Sequence, residues 1–172
     1  MAGAAGGGGK AVAGAGFATT APAGWSVKAK TVSGGRTFAL ATPGAKLDVV
    51  GVPSAGGQGI TVQVQTSTAT AKNIKKKTLP SSPVALLEDV VGTPTAATHV
   101  RVVGAPKAGR LKGARAALAT FSYTYRKRQI VQQDVLAVRK GHVYFVEVDA
   151  DAAKAKAAAT AFAGVLERWR WR

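Results

Sequence analysis

Between residues 114 and 149 the chain is written as three runs of strand-forming side chains parted by two short basic interruptions. Residues 114–125 (ARAALATFSYTY), 129–138 (QIVQQDVLAV) and 142–149 (HVYFVEVD) are dense in Val, Ile, Tyr, Phe and Thr. Those side chains fit a pleated, half-buried surface. Only Arg126-Lys127-Arg128 and Arg139-Lys140-Gly141 break the pattern. Runs of this length with connections this short point to an antiparallel meander.

A two-residue turn at Lys140-Gly141 places Arg139 opposite His142 and fixes the register of the last two runs. Leu136 then faces Phe145, and Asp134 faces Glu147. A three-residue loop at Arg126-Lys127-Arg128 adds Leu118 to the first pair and Thr120 to the second. The other face carries Ala117, Ala119, Phe121 and Tyr123 against Val131, Val135 and Ala137, completed by Tyr144, Val146 and Val148. That face is apolar throughout and the first is apolar at one end, so the sheet lacks a clean wet side. Helices are expected over both faces, at least in part.

The rest of the chain supplies the cover. At 172 residues and 47% hydrophobic it can bury one good core. Residues 1–16 (MAGAAGGGGKAVAGAG) carry too few large side chains to pack and read as a flexible leader or linker. Such a start is what would remain if an export signal or anchor lay upstream and had been removed. No stretch approaches the roughly 20 apolar residues that span a bilayer. Residues 17–169 read as a single α+β domain and residues 170–172 as a basic and aromatic tail. Strands are expected at 17–31 (broken at Pro22 and Gly24), 37–42, 46–52, 60–67 and 99–103. The alternation of Thr61, Gln63 and Gln65 with Val62 and Val64 gives the 60–67 strand a polar face suited to an edge. Ser82 caps a short helix that opens at Pro83 and stops before Gly92, while residues 106–113 read as a basic loop into the meander. After the meander, Asp149 or Asp151 caps a helix running to about Trp169. Its Ala155, Ala158, Phe162, Val165 and Leu166 share one face.

Several motifs stand in a telling order. The domain opens with Phe-x-x-x-x-Pro-x-Gly-Trp (Phe17, Pro22, Gly24, Trp25) and leads into the meander with Leu-x-Gly-x-x-Ala (Leu111, Gly113, Ala116). It turns its last hairpin at Gly141-His142-Val143-Tyr144 and closes on a helix with Phe162 near its middle. In this order the chain resembles the PsbP-like family (the Mog/PsbP fold), which includes many secreted bacterial domains of unknown role. The resemblance covers nearly everything after Phe17. It implies an α+β fold in which an antiparallel sheet is packed between helices, an α/β/α sandwich. It further implies an accessory or binding role without catalysis and, with the glycine-rich leader, a place outside the cell or in its envelope. No binding residue transfers with it.

Little in the chain points to chemistry. The absence of cysteine excludes a disulfide framework, a thiolate zinc site and a cysteine nucleophile. The two histidines, His99 and His142, lie on different strands without ligand spacing and read as structural or exposed. There is no Gly-x-Ser-x-Gly elbow, and the glycines of the leader lack the setting of a phosphate loop. No catalytic, metal-binding or cofactor-binding residue is expected. The one acidic constellation is Asp134 with Glu147. Like charges directly across a sheet repel, so the pair calls for a cation from a helix, a bound metal ion or a raised pKa. In so basic a chain a salt bridge is the favoured answer, and a small enzyme using Asp134 and Glu147 the outlying one.

Charge is the strongest functional signal. Lys and Arg number 24 against 8 Asp and Glu, a net +16, which favours polyanionic partners or else forms a solvated surface. Basic residues cluster at 72–77, 110–115, 126–128 and 139–140. The candidate anion or partner contacts are Lys75, Lys76, Lys77, Arg126, Lys127, Arg128, Arg139 and Lys140. Two of these groups are turns at opposite ends of the sheet, which points to dispersed charge and away from a single nucleic-acid groove. No helix-turn-helix, zinc finger or RNP-type aromatic motif accompanies them. The ending Arg168-Trp169-Arg170-Trp171-Arg172 alternates cation and indole, a pairing suited to an anionic membrane interface unless Trp169 packs in the core and the last residues fray. The sequence thus reads as a non-enzymatic binding or accessory module of the cell envelope or extracellular space. Its partner is an anionic surface (lipid or envelope polymer) or a protein. A cytoplasmic nucleic-acid-associated protein is the alternative.

Overall fold

The structure, a computed structural model, describes residues 9–32, 34–45, 59–77, 80–91 and 98–172, with the backbone alone described at 69–71, 90–91 and 98–99. In chain order its strands are β1 (Ala11–Gly14), β2 (Phe17–Thr20), β3 (Ser26–Val32), β4 (Gly35–Ala41), β5 (Ile60–Ser67), β6 (Thr98–Leu111), β7 (Ala114–Tyr125), β8 (Arg128–Arg139), β9 (His142–Asp151) and β10 (Arg170–Trp171). The helices are α1 (Thr68–Lys75), α2 (Pro83–Val91) and α3 (Ala155–Glu167). The strand expected at 46–52, and most of the loop after it, lie outside the described residues. The class is α+β, with a seven-stranded antiparallel sheet in the order β3-β4-β5-β9-β8-β7-β6 and a three-stranded one in the order β1-β2-β10.

The meander is present, and its turns decide which way every side chain points. Lys112-Gly113, Arg126-Lys127 and Lys140-Gly141 each hold two central residues at positive φ, between 46° and 85°. That is the type I′ turn whose twist matches flanking strands. At the last hairpin the expected pairing holds, with Arg139 opposite His142, Leu136 opposite Phe145 and Asp134 opposite Glu147. At the preceding one it does not. Two residues, not three, make the turn, so Tyr125 pairs with Arg128, Ala117 with Leu136 and Ala119 with Asp134. A slip of one residue exchanges the faces of a strand. Ala117, Ala119, Phe121 and Tyr123 therefore share a face with Asp134 and Glu147, while Leu118 and Thr120 lie on the other.

Both faces are covered. On one, Leu86 and Leu87 of α2 and Ile74 of α1 pack with Ala117, Ala119, Phe121, Leu136, Val143 and Phe145. On the other, Ala158, Phe162, Val165 and Leu166 of α3 join Phe38, Leu40, Val62, Val64, Val146 and Val148. That layer is shared with the small sheet, so it is not made of helix alone. Phe17 stacks on Trp169 with ring centroids 4.5 Å apart and meets the edges of Phe38 and Tyr144. No helix of the described residues is long and apolar enough to cross a membrane.

Five expectations need correction. Residues 11–14, assigned to the flexible leader, form β1, because Val12 can bury beside β2. The tail at 170–172 is not free: Arg170 and Trp171 pair with Ala18 and Phe17. β5 is no edge but lies between β4 and β9, and its Thr61 and Gln63 are buried. The basic loop at 106–113 is mostly the second half of β6, whose register shifts absorb Pro106 and the glycines around it. Neither Asp149 nor Asp151 caps α3. A 3₁₀ turn at Ala152–Lys154 intervenes, and Asp151 makes no capping bond. The opening motif, by contrast, has a plain cause. The Trp25 amide donates to the Pro22 carbonyl at 3.2 Å across a turn with Gly24 at φ 77°, which aims Trp25 into the core.

Candidate functional site

Antiparallel pairing sorts the basic residues between the two ends of the sheet. The β6–β7 and β8–β9 turns lie at one end, the β7–β8 turn at the other. The first end gathers Arg110, Lys112 and Arg115 from one hairpin and Arg139 and Lys140 from the next. β10 ties these together. The Trp171 indole N–H donates to the carbonyls of Leu111 and Lys112, at 3.1 Å each, and the Arg139 guanidinium lies 4.8 Å from the centre of its ring. Arg170 and Arg172 flank that indole, with the Arg172 amide donating to the Gly16 carbonyl at 3.0 Å. On the opposite face α1 follows directly from the end of β5 and packs on β9, carrying Lys75, with Lys76 and Lys77 just beyond.

The expected contacts thus divide. Lys75, Lys76, Lys77, Arg139 and Lys140 are brought to one end, joined there by Arg110, Lys112, Arg115, Arg170 and Arg172. Arg126, Lys127 and Arg128 stand at the other, and Arg128 is engaged: it grips Asp151 through Nε and Nη2, at 2.9 and 2.6 Å. No residue of the turns at the first end is acidic, and among the described residues none of its cations is ion-paired. The sequence signal for the missed residues was Lys112-Gly113 itself, spelled as Lys140-Gly141 is and set between two strand runs in the same way.

The carboxylates form a separate, inward-facing row. Asp134 is 1% exposed and accepts bonds from the Gln132 amide nitrogen to both oxygens, at 2.9 and 3.1 Å. Burial raises its pKa to about 7, against the lowering effect of Gln132 and with a further rise from the charge of Asp149. Glu147 accepts from the Gln63 amide at 2.8 Å. Burial first, then the charges of Asp149 and Asp134, hold it well above the carboxylate range. Asp149 is buried and accepts from the Tyr123 hydroxyl at 2.9 Å, and burial followed by that carboxylate raises the phenol. The expected salt bridge to Asp134 or Glu147 is not found among the described residues. Neutral amides and retained protons take its place. Asp134 also lines a groove of about 420 Å³ between α3 and β6–β8. That groove opens on the α3 face, while the Asp134 side chain shares the other face with Ala119 and Glu147.

His142 sits at the basic end with Nδ1 3.1 Å from the Lys140 carbonyl, closing the hairpin, and the side chain of His99 lies outside the described residues. Among the described residues no three acids or histidines are placed to hold a metal ion.

No protein-family model matches the chain, and no curated protein matches it. Solved structures do. LpqN of Mycobacterium tuberculosis, described as involved in cell envelope biogenesis, superposes with a TM-score of 0.53 at 15% identity, over 90% of this chain and 82% of LpqN. A PsbP protein is among them too. This is the PsbP of the cyanobacterium Synechocystis, with a TM-score of 0.46 at 10% identity over 91% of this chain and 87% of its own. A Pseudomonas aeruginosa protein of unknown function, described as a putative regulator, matches at 0.48 and 9% identity over 80% and 91%. Identities this low speak to the fold and to nothing finer.

Proposed function

We propose that the chain is a non-enzymatic accessory or binding module of the cell envelope or extracellular space, and that its partner presents dense negative charge. The observation that carries this is the gathering of unpaired cations from two hairpins and β10 at one end of the sheet. Solvated surface charge has no reason to collect there without compensating acids, because like charges brought together repel. The shared fold with LpqN, a protein of envelope biogenesis, supports the location. The burial of Asp134 supports the absence of catalysis. Asp134, at 1% exposed, is out of reach of a substrate, and the groove it borders opens on the other face of the sheet.

The test is binding of the whole chain to anionic vesicles, acidic polymers and nucleic acid over a salt series. Association with the anionic surfaces that weakens steadily with salt is expected. Retention on none of them at low salt would reduce the charge to a solvated surface and end this reading.

A further inference from the structure

The arrangement of the basic end points to its ligand, and this step rests on the reading just given. We infer that the sheet docks end-on against the headgroups of an anionic lipid bilayer, by charge and without insertion.

A type I′ turn favours Asn or Gly at its first central position, since other side chains crowd the backbone at positive φ. Lys112 and Lys140 occupy that position at φ 47° and 46°. A lysine stands at both tips against the conformational preference of the turn, as Arg126 and Lys127 do in the single turn at the opposite end, and what sets this end apart is that two such tips are neighbours. The two tips belong to the β6–β7 and β8–β9 hairpins, which are neighbours through β7 and β8, so both ammonium groups project from one edge of one sheet. Neighbouring strands lie about 4.8 Å apart, and the four strands that carry these two hairpins make a cationic edge roughly 14 Å wide. Cations spread along a level row of this width fit an extended anionic plane, where each contributes separately.

The same end does not suit nucleic acid. Neither a helix nor a two-stranded ribbon stands out from it to enter a groove. Stacking of single-stranded bases needs an open aromatic face, and Trp171 has none to give: Arg139 lies over its ring while Tyr144 and Trp169 meet it at 4.9 and 5.4 Å. Nor can the indoles serve as an anchor. Trp25 and Trp169 are buried, and the Trp171 N–H is committed to two backbone carbonyls. The interfacial role that the Arg and Trp ending invites is closed by this packing, and the arginines alone remain outward.

The test compares two double substitutions that remove equal charge and both suit a type I′ turn, so that neither is expected to unfold the chain. Lys112→Asn with Lys140→Asn acts at the basic end, Arg126→Asn with Lys127→Gly at the opposite end. Partition onto phosphatidylcholine vesicles with and without phosphatidylglycerol is measured at low and physiological salt, with single- and double-stranded DNA alongside. The first pair is expected to weaken binding to anionic vesicles roughly twenty-five-fold, at about fivefold for each lysine. The second is expected to weaken it less than about threefold, and tryptophan emission is expected to keep its wavelength on binding. Equal losses from the two pairs would overturn end-on docking while leaving the module an anion binder. A blue shift would overturn docking without insertion, and tighter binding to DNA than to anionic vesicles would overturn the lipid as ligand. Absence of any wild-type binding would remove the broader reading as well.

Discussion

Asp134, Glu147 and Asp149 lie within one short stretch of sheet, and Asp134 and Glu147 face each other in register with no ion pair to either among the described residues. Proton retention makes this tolerable. The folded chain keeps on Asp134 a proton that the unfolded chain releases, the pKa standing at about 7 against an ordinary 3.8. Over that window the unfolded state binds fewer protons, so stability falls as pH rises, and Glu147, raised by burial and its acidic neighbours, adds to the fall. Urea midpoints are expected to decline from mild acid to neutrality. Asp134→Asn should flatten the slope and gain on the order of 2–4 kcal/mol at pH 8. A wild-type midpoint that climbs with pH would mean that the carboxylates are ionised and paired. Half of this site was legible in the sequence, because Lys140-Gly141 sets Asp134 against Glu147 without further information. Gln63 was not, since it arrives from β5, and nothing local announces that β5 lies beside β9.

Single turns govern whole elements here. Reading Arg126-Lys127-Arg128 as a loop of three placed every side chain of β7 on the wrong face, although the strand itself was plain in the sequence. Cationic residues at positive φ carry none of the Asn or Gly signal that marks a type I′ turn. Replacing Arg126 and Lys127 by Asn and Gly should therefore raise the urea unfolding free energy by about 1 kcal/mol, with unchanged near-ultraviolet circular dichroism. A loss of stability would imply a tertiary role for the native pair. α1 escaped notice for a related reason. Of its eight residues Ile74 alone is a large apolar side chain, and it packs with Val143 and its neighbours. α3 was evident because Ala158, Phe162 and Val165 repeat at helical spacing and are all buried.

Over the whole molecule, residues far apart in sequence share one layer. β1 and β10 flank β2, the Thr19 hydroxyl donates to the Val165 carbonyl at 2.7 Å, and the Tyr144 hydroxyl donates to the Ala15 carbonyl at 3.0 Å. Removing residues 170–172 should lower the unfolding free energy by about 2–4 kcal/mol, because Trp171 fills a site against Tyr144, Trp169 and Arg139. A frayed ending would leave the melting temperature unchanged. This closure was invisible in the sequence, since a strand of two residues has no periodicity to detect. It also gives the domain a polarity of attachment. β1 enters beside Thr20 and β10 leaves beside Phe17, so the backbone arrives from one direction along the strands and departs in the other. A tether joined ahead of Ala11 would pull from the side away from the cationic rim. A reporter fused there would leave the rim unobstructed.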